Sequence, residues 1–164
     1  MANNREVYSF MIPIINSNML LPNTSIVEIV PFNNVELFAG KTEAPGWYLG
    51  HLQWRGQDIP LISIDMIMGE SDPQASKRSR IAITYTLNSN RSLPYMAIVV
   101  QGIPRLSHVT MDNIEVPEDE VELLSQGEKV RVTVDNVPAS IPDLDKLEEM
   151  IMLAKAKILT DAHS

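Results

Sequence analysis

The 164-residue chain has no cysteine, so it can form neither a disulfide staple nor a thiolate metal site, and it suits a reducing compartment. Positive charge is scarce: 13 Lys and Arg stand against 21 Asp and Glu, giving a net charge of −8. Nucleic-acid binding needs clustered cations that displace counterions from phosphates, and that class is set aside. Two Trp, four Tyr and three Phe are too few for a base-stacking platform. No apolar run approaches the roughly 20 residues of a membrane helix. The opening "MANNREVYSF" lacks the basic segment and apolar stretch of a signal peptide. The expectation is a soluble, cytoplasmic protein with no nucleic-acid partner and no membrane insertion. What remains, 45% apolar and 21% charged residues, is a globular composition, long enough for one domain or two small modules sharing a core.

Eleven prolines recur along the chain and leave few windows for helices, so the first 140 residues read as short strands and loops. "EVYSFMIPII" (6–15) turns at Asn16-Ser17-Asn18 and returns as "MLLP". "RIAITYTL" (80–87) turns at Asn88-Ser89-Asn90 and returns as "LPYMAIVV" (93–100). A further strand-like piece follows each, "SIVEIV" and "IPRLSHV", and the turns at 16 and 88 are 72 positions apart. The pattern predicts two small antiparallel barrels of similar plan, because closure removes exposed strand edges; chance recurrence of a common turn is the plainer alternative. "VELLS" and "KVRVTV" around Gln126-Gly127-Glu128 predict another hairpin, with Val130, Val132 and Val134 alternating against Arg131 and Thr133.

After Pro142 the period becomes helical: Leu144, Leu147, Ile151, Ala154 and Ile158, with Asp143 as cap and Lys155 and Lys157 near the C-terminal dipole. This helix, about 144–160, is expected to pack on the barrels, a partner-binding helix being the rival reading. The organisation is thus a single domain over 1–164. Subdomain 1 spans about 17–78, up to the polar linker "GESDPQASKRS" (69–79). Subdomain 2 spans about 79–140 with the N-terminal strand region added, and the helix covers about 143–160.

Catalytic patterns are missing. His51, His108 and His163 show no HxxxH or HExxH spacing, so no metal site is expected. His51, Ser63 and Asp65 resemble the members of a nucleophilic triad, but no Gly-x-Ser-x-Gly elbow accompanies them, and a polar sheet face explains them better. No Gly-rich phosphate loop occurs, and "PEDEVE" (117–122) reads as a solvated turn or strand edge. No catalytic residue, cofactor or metal is assigned. The informative stretch is "PGWYLGHLQWRGQDIPLISID" (45–65). Alternation places Tyr48, Leu52 and Trp54 on one side of its first strand and His51, Gln53 and Arg55, with Leu49, on the other. Gly56 allows a turn conformation that a side chain would oppose.

"GHLQWRGQDIPLIS" (50–63) resembles the signature hairpin of the CheW family: a glycine, an apolar-Asn-apolar-Arg-Gly stretch, then an apolar-Pro-apolar strand. "LLPNTSIVEI" (20–29) is similar to the family's Leu-Pro-x-x-x-Val-x-Glu-Ile segment. "MAIVVQGIPRL" and "ASIPDLDKL" (139–147) resemble its second-half strand and its terminal strand with helix start. The likeness runs from about residue 6 to residue 150. Gln53 replaces the usual Asn, Ser63 a common Asp and Gln101 another Asp, departures that suggest a divergent branch such as the adaptors of pilus-associated chemosensory systems.

The resemblance implies two intertwined small SH3-like β-barrels with a C-terminal helix, a mainly β fold. It also implies a non-enzymatic adaptor that couples methyl-accepting chemoreceptors to a chemotaxis-type histidine kinase, binding the receptor's cytoplasmic tip and the kinase's regulatory domain. Such a protein would be recruited to membrane-associated arrays serving chemotaxis or pilus-driven twitching. The family's layout suggests that Glu28 lies near enough to pair with Arg55. Partner-binding candidates are Arg55, Glu28, Gly56 and Gln53, together with the apolar Ile26, Ile29 and Val30. For Arg55 the competing view is a turn cap that shields Trp54, and for the aliphatic residues it is simple core packing. Rival functions are a competitor or capping relative that does not activate the kinase, a ligand-sensing barrel, and a small β-barrel enzyme using His51 and nearby carboxylates.

Overall fold

The computed structural model describes residues 6–38, 44–70, 78–86, 92–117 and 124–162. The chain opens with β1 (Val7–Pro13) and β2 (Asn18–Pro22), which form an antiparallel hairpin closed by the Ile14 N–H donating to the Ser17 carbonyl at 3.1 Å. Then come β3 (Ile26–Pro31), β4 (Val35–Leu37), β5 (Tyr48–Trp54), β6 (Gln57–Ile62) and the short helix α1 (Ile64–Ile67). The second half repeats the series with β7 (Arg80–Tyr85), β8 (Tyr95–Val100), β9 (Arg105–Val109), β10 (Ile114–Glu115), β11 (Glu128–Val134) and β12 (Val137–Pro142). The long helix α2 (Leu144–Ala162) ends it.

Hydrogen bonding sorts the strands into two six-stranded sheets, ordered β3-β7-β8-β6-β5-β4 and β9-β1-β2-β12-β11-β10. Moving each strand of the first sheet six places along the series gives the second, so the expected recurrence of plan is a property of the topology. The halves are intertwined. β7 and β8 lie C-terminal to the 69–79 linker yet belong to the first sheet, and β2 lies N-terminal to it yet belongs to the second. Subdomains divided at residues 78 and 79 therefore do not coincide with the sheets. Each β1–β2-type hairpin pairs across to the other half, which sequence order does not reveal.

Two cores fill the two sheets. Leu49, Leu52, Trp54, Ile59, Leu61, Ile81, Ile83, Ala97 and Val99, joined by Val27, Val30 and Val35, draw on all six strands of the first sheet and fill a barrel. Met11, Leu20, Val109, Val132, Val134 and Ala139, with Ile114, do the same for the second. A third cluster lies between the barrels and under α2. It takes Ile12 and Met19 from one sheet, Ile62, Met96 and Ile98 from the other, and Leu147 and Ile151 from α2. Central strands are consequently apolar on both faces, which is why "MAIVV" shows no alternation. The helical stripe read from the sequence is core, as expected.

The hairpins β5–β6 and β11–β12 match residue for residue, 80 positions apart. Their turns lie at Arg55-Gly56 and Asp135-Asn136, and the ladders close as Trp54↔Gln57 and Val134↔Val137. Each has a register shift at its start, between Tyr48 and Gly50 and between Glu128 and Val130. Each runs into a helix capped by a side chain: Ser63 Oγ accepts from Met66 N at 3.1 Å and Asp143 Oδ1 from Lys146 N at 3.0 Å.

These features correct two expectations. The bulge at the start of β5 inserts an extra residue and reverses its alternation. Leu49 therefore joins Leu52 and Trp54 inside the first barrel, while Tyr48 turns to the core beneath α2. β11 forms its hairpin with β12, and of "VELLS" the described Leu124 and Ser125 carry no strand. Gly127 instead permits close packing, since a Cβ there would come within 3.0 Å of Ile67 Cγ2 and 3.2 Å of Leu147 Cδ2. The Asn88-Ser89-Asn90 turn, residues 71–77 of the linker, 118–122 of the acidic run, 121–123 of "VELLS" and His163 lie outside the described residues.

Candidate docking surfaces

At the β5–β6 tip, Arg55 and Gly56 have φ of +47° and +74°. Two successive left-handed residues make the mirror-image turn that matches the twist of a two-residue hairpin. Glycine accepts this conformation readily; arginine does not, at a cost of roughly 1 kcal/mol. The side chain is held by its neighbours. Glu28 Oε2, from edge strand β3, accepts from Trp54 Nε1 at 2.9 Å and from Arg55 Nη2 at 3.3 Å, and the guanidinium carbon sits 4.5 Å from the Trp54 ring centre. Tyr95 meets Trp54 edge to face at 5.1 Å, and Tyr85 packs on Tyr95 at 5.8 Å. Beside them Gln53 donates from its amide to Asp58 Oδ1.

With 65% of the Arg55 side chain exposed, its ion pair contributes about 0–1 kcal/mol, so stability does not explain it. What the cluster provides is a guanidinium held at a fixed place above aromatic surface, a group that recurs at the centres of protein interfaces.

The apolar candidates lie elsewhere on the same edge strand. Ile29 and Val30 line a cleft of about 420 Å³ with Phe10, Pro31, Arg80, Ile103 and Pro104. The cleft is flanked by β3 and β9, the equivalent outer strands of the two sheets. Ile103 and Leu106 are 73% and 60% exposed, and Leu106 faces Phe10 across the β1–β9 ladder, which extends the apolar surface. Ile29 and Val30 are half-buried and each also packs on a core, whereas Ile26 packs on the inter-barrel core and does not line the cleft. The structure thus brings Arg55, Gly56, Glu28 and Gln53 together at a tip, places Ile29 and Val30 in a cleft, and leaves Ile26 apart. Sequence reasoning missed Phe10, Ile103, Leu106 and the Tyr85–Tyr95 pair. The one available signal was the "GIPRL" run, apolar residues straight after a turn glycine.

His51, Ser63 and Asp65 do not form a triad. His51 Nε2 lies 3.2 Å from the Tyr48 hydroxyl, Ser63 caps α1, and Asp65 Oδ1 accepts from Ile15 N at 2.9 Å. Burial, then Lys155, lowers the His51 pKa against the opposing pull of Asp58 and Glu36, while burial raises that of Tyr48 to about 12. Among the described residues no group of His, Asp and Glu side chains suits a metal ion, and no helix is long and apolar enough to cross a membrane.

Comparison with known proteins agrees with the geometry. The crystal structure of the scaffolding protein TtCheW from Thermoanaerobacter tengcongensis is similar in fold, with a TM-score of 0.66 and 20% identity over 84% of this chain and 89% of that one. No curated protein matches. The model of the CheW-like domain matches residues 10–151, and the paired barrels are those of that fold. The chain belongs to the CheW-like family.

Proposed function

We propose that this protein is a non-enzymatic adaptor that couples chemoreceptors to a chemotaxis-type histidine kinase, in the cytoplasm at membrane-associated arrays serving chemotaxis or pilus-driven motility. The observation that carries the reading is the coexistence on one chain of two unlike surfaces, an apolar cleft between barrel edges and a charged, aromatic tip. The cleft fits the apolar stripe of a helix such as the receptor's cytoplasmic tip, in the manner of helix-in-groove recognition. Arg55, Glu28, Gly56 and Gln53 suit a partner with its own polar barrel end, the role assigned to the kinase's regulatory domain. Ile29 and Val30 serve the cleft, and Ile26, which packs on the inter-barrel core, is not assigned to it. Each contact is modest, and simultaneous engagement in an array supplies avidity.

Reconstitution tests this. Adding the protein to receptor-containing membranes and kinase should raise autophosphorylation several-fold. A fall would identify a competitor of other adaptors, and a failure to co-sediment with either component would overturn the adaptor reading.

A further inference from the structure

A second cavity, of about 310 Å³, lies away from both surfaces, between α1 and the β11–β12 ladder. Its strand wall is the face opposite the second barrel's core, where Arg131 pairs with Ser140 and Thr133 with Pro138. Arg131 is committed to Glu128: Nε donates to Oε2 and Nη2 to Oε1, both at 2.8 Å, and the Ser140 hydroxyl also donates to Oε2 at 2.8 Å. That pair is neutral in sum, which leaves Asp65 and Glu70 as the acidic groups of the lining. Burial, and less strongly the charge of Glu70, raise the Asp65 pKa against the Ile15 N–H, so an arriving cation favours its ionised form.

Asp65 is 1% exposed. Its Oδ1 takes the Ile15 N–H, but Oδ2 has no hydrogen-bond partner. A buried carboxyl oxygen left unmet is costly, and native interiors rarely keep one without a use. The remaining lining mixes the hydrocarbon of Ile14, Met68 and Pro138 with the polar side chains of Asn16, Ser17, Thr133 and Ser140. Two carboxyls fall well short of the six to eight oxygens a calcium ion takes, and the described residues hold no metal-binding group.

We propose that this cavity binds an organic cation, a primary ammonium or guanidinium on a short hydrocarbon stem, with its head on Asp65 and Glu70 and its stem along Met68, Ile14 and Pro138. Such heads carry three to five donors and no acceptor, the complement of an unmet carboxylate. Oδ2 is covered in the structure, so a side chain shifts to admit the head, a movement suited to flexible Met68. The site stands independently of the adaptor reading, since it uses neither the cleft nor the tip. The same chemistry is offered by a free amine and by a Lys or Arg side chain of a partner.

The test is an NMR titration that follows the Asp65 carboxyl carbon and the Ile15 amide. The probes are n-butylammonium, methylguanidinium and capped Gly-Lys-Gly, with sodium chloride at matched ionic strength as control. The expected result is saturable shifts at both positions for the organic cations, at least fivefold weaker binding in Glu70→Gln, and loss of binding in folded Asp65→Asn. Tighter binding of the peptide than of butylammonium would mark a partner's side chain as the source, and the reverse a free amine. Equal shifts with sodium chloride, silence at Asp65 and Ile15, or undiminished binding in both variants would overturn the site.

Discussion

The two hairpin tips are built on one plan and carry opposite chemistry. At 55 and 56 the first barrel presents Arg-Gly, backed by Trp54, Tyr95 and Glu28; at 135 and 136 the second presents Asp-Asn. All four residues have positive φ. Asp and Asn tolerate that region through their short polar side chains, and Asp135 accepts at 3.4 Å from Asn113 Nδ2, so the second tip is locally consistent. Arg55 is the residue of the four least suited to its conformation. Where the same turn is available with better residues, a strained and exposed arginine points to selection for something other than folding.

The largest expected effect breaks the equivalence of the bulges. Gly50 has φ of +150°, and a Cβ there would lie 2.0 Å from the Glu36 carbonyl oxygen. Its counterpart 80 positions on is Val130. Gly50→Val should cost about 3–5 kcal/mol or prevent folding, whereas Val130→Gly should cost about 1 kcal/mol from strand entropy and lost packing. Urea unfolding of the pair measures the difference.

Next comes the start of β11. Burial would raise the Glu128 carboxyl, but the Arg131 guanidinium, the Ser125 N–H and the Ser140 hydroxyl outweigh it and hold its pKa at about 2, below the usual 4.5. A depressed acid stabilises the fold above its unfolded pKa. That contribution, on the order of 3 kcal/mol, should be fully present above about pH 4.5 and fade as pH falls towards 2. Glu128→Gln should be destabilised at pH 7 and lose that part of the acid slope in thermal melts. Tyr48, the equivalent in β5, has no such network, so Tyr48→Phe should leave the slope between pH 4.5 and 2 unchanged.

Much of this comparison was legible beforehand, and what was hidden was hidden for definite reasons. The Arg-Gly turn, the helix after Pro142 and the doubling of the plan follow from turn chemistry and periodicity, which are local. The match between residues 54–67 and 134–147 escaped because it retains burial pattern and turn geometry while sharing almost no side chains; Asp65 and Asp145 are identical, but Trp54 becomes Val134 and Pro60 becomes Ser140. The Tyr48–Leu49 reversal comes from a bulge that strict alternation does not show. The cleft was half-seen, since Ile29 and Val30 are on one half of the chain and Ile103 and Leu106 on the other, and strand exchange brings them together.

Smaller effects sharpen the contrast. Leu106→Ser, on exposed apolar surface beside the cleft, should change stability by under about 0.5 kcal/mol and weaken receptor capture several-fold, as read by co-sedimentation with receptor membranes. Asp135→Ala should cost about 0.5–1 kcal/mol from the left-handed position and leave that capture unchanged.

The most direct measurement is on Arg55→Asn, which gives the first tip the Asn-Gly pair that this turn prefers. Thermal unfolding and binding to receptor and kinase would be read on the same preparation. The melting temperature should hold or rise while kinase binding falls at least tenfold and receptor binding holds, because the guanidinium is lost and the strain relieved. A lower melting temperature with kinase binding intact would contradict the account and make Arg55 a structural turn residue.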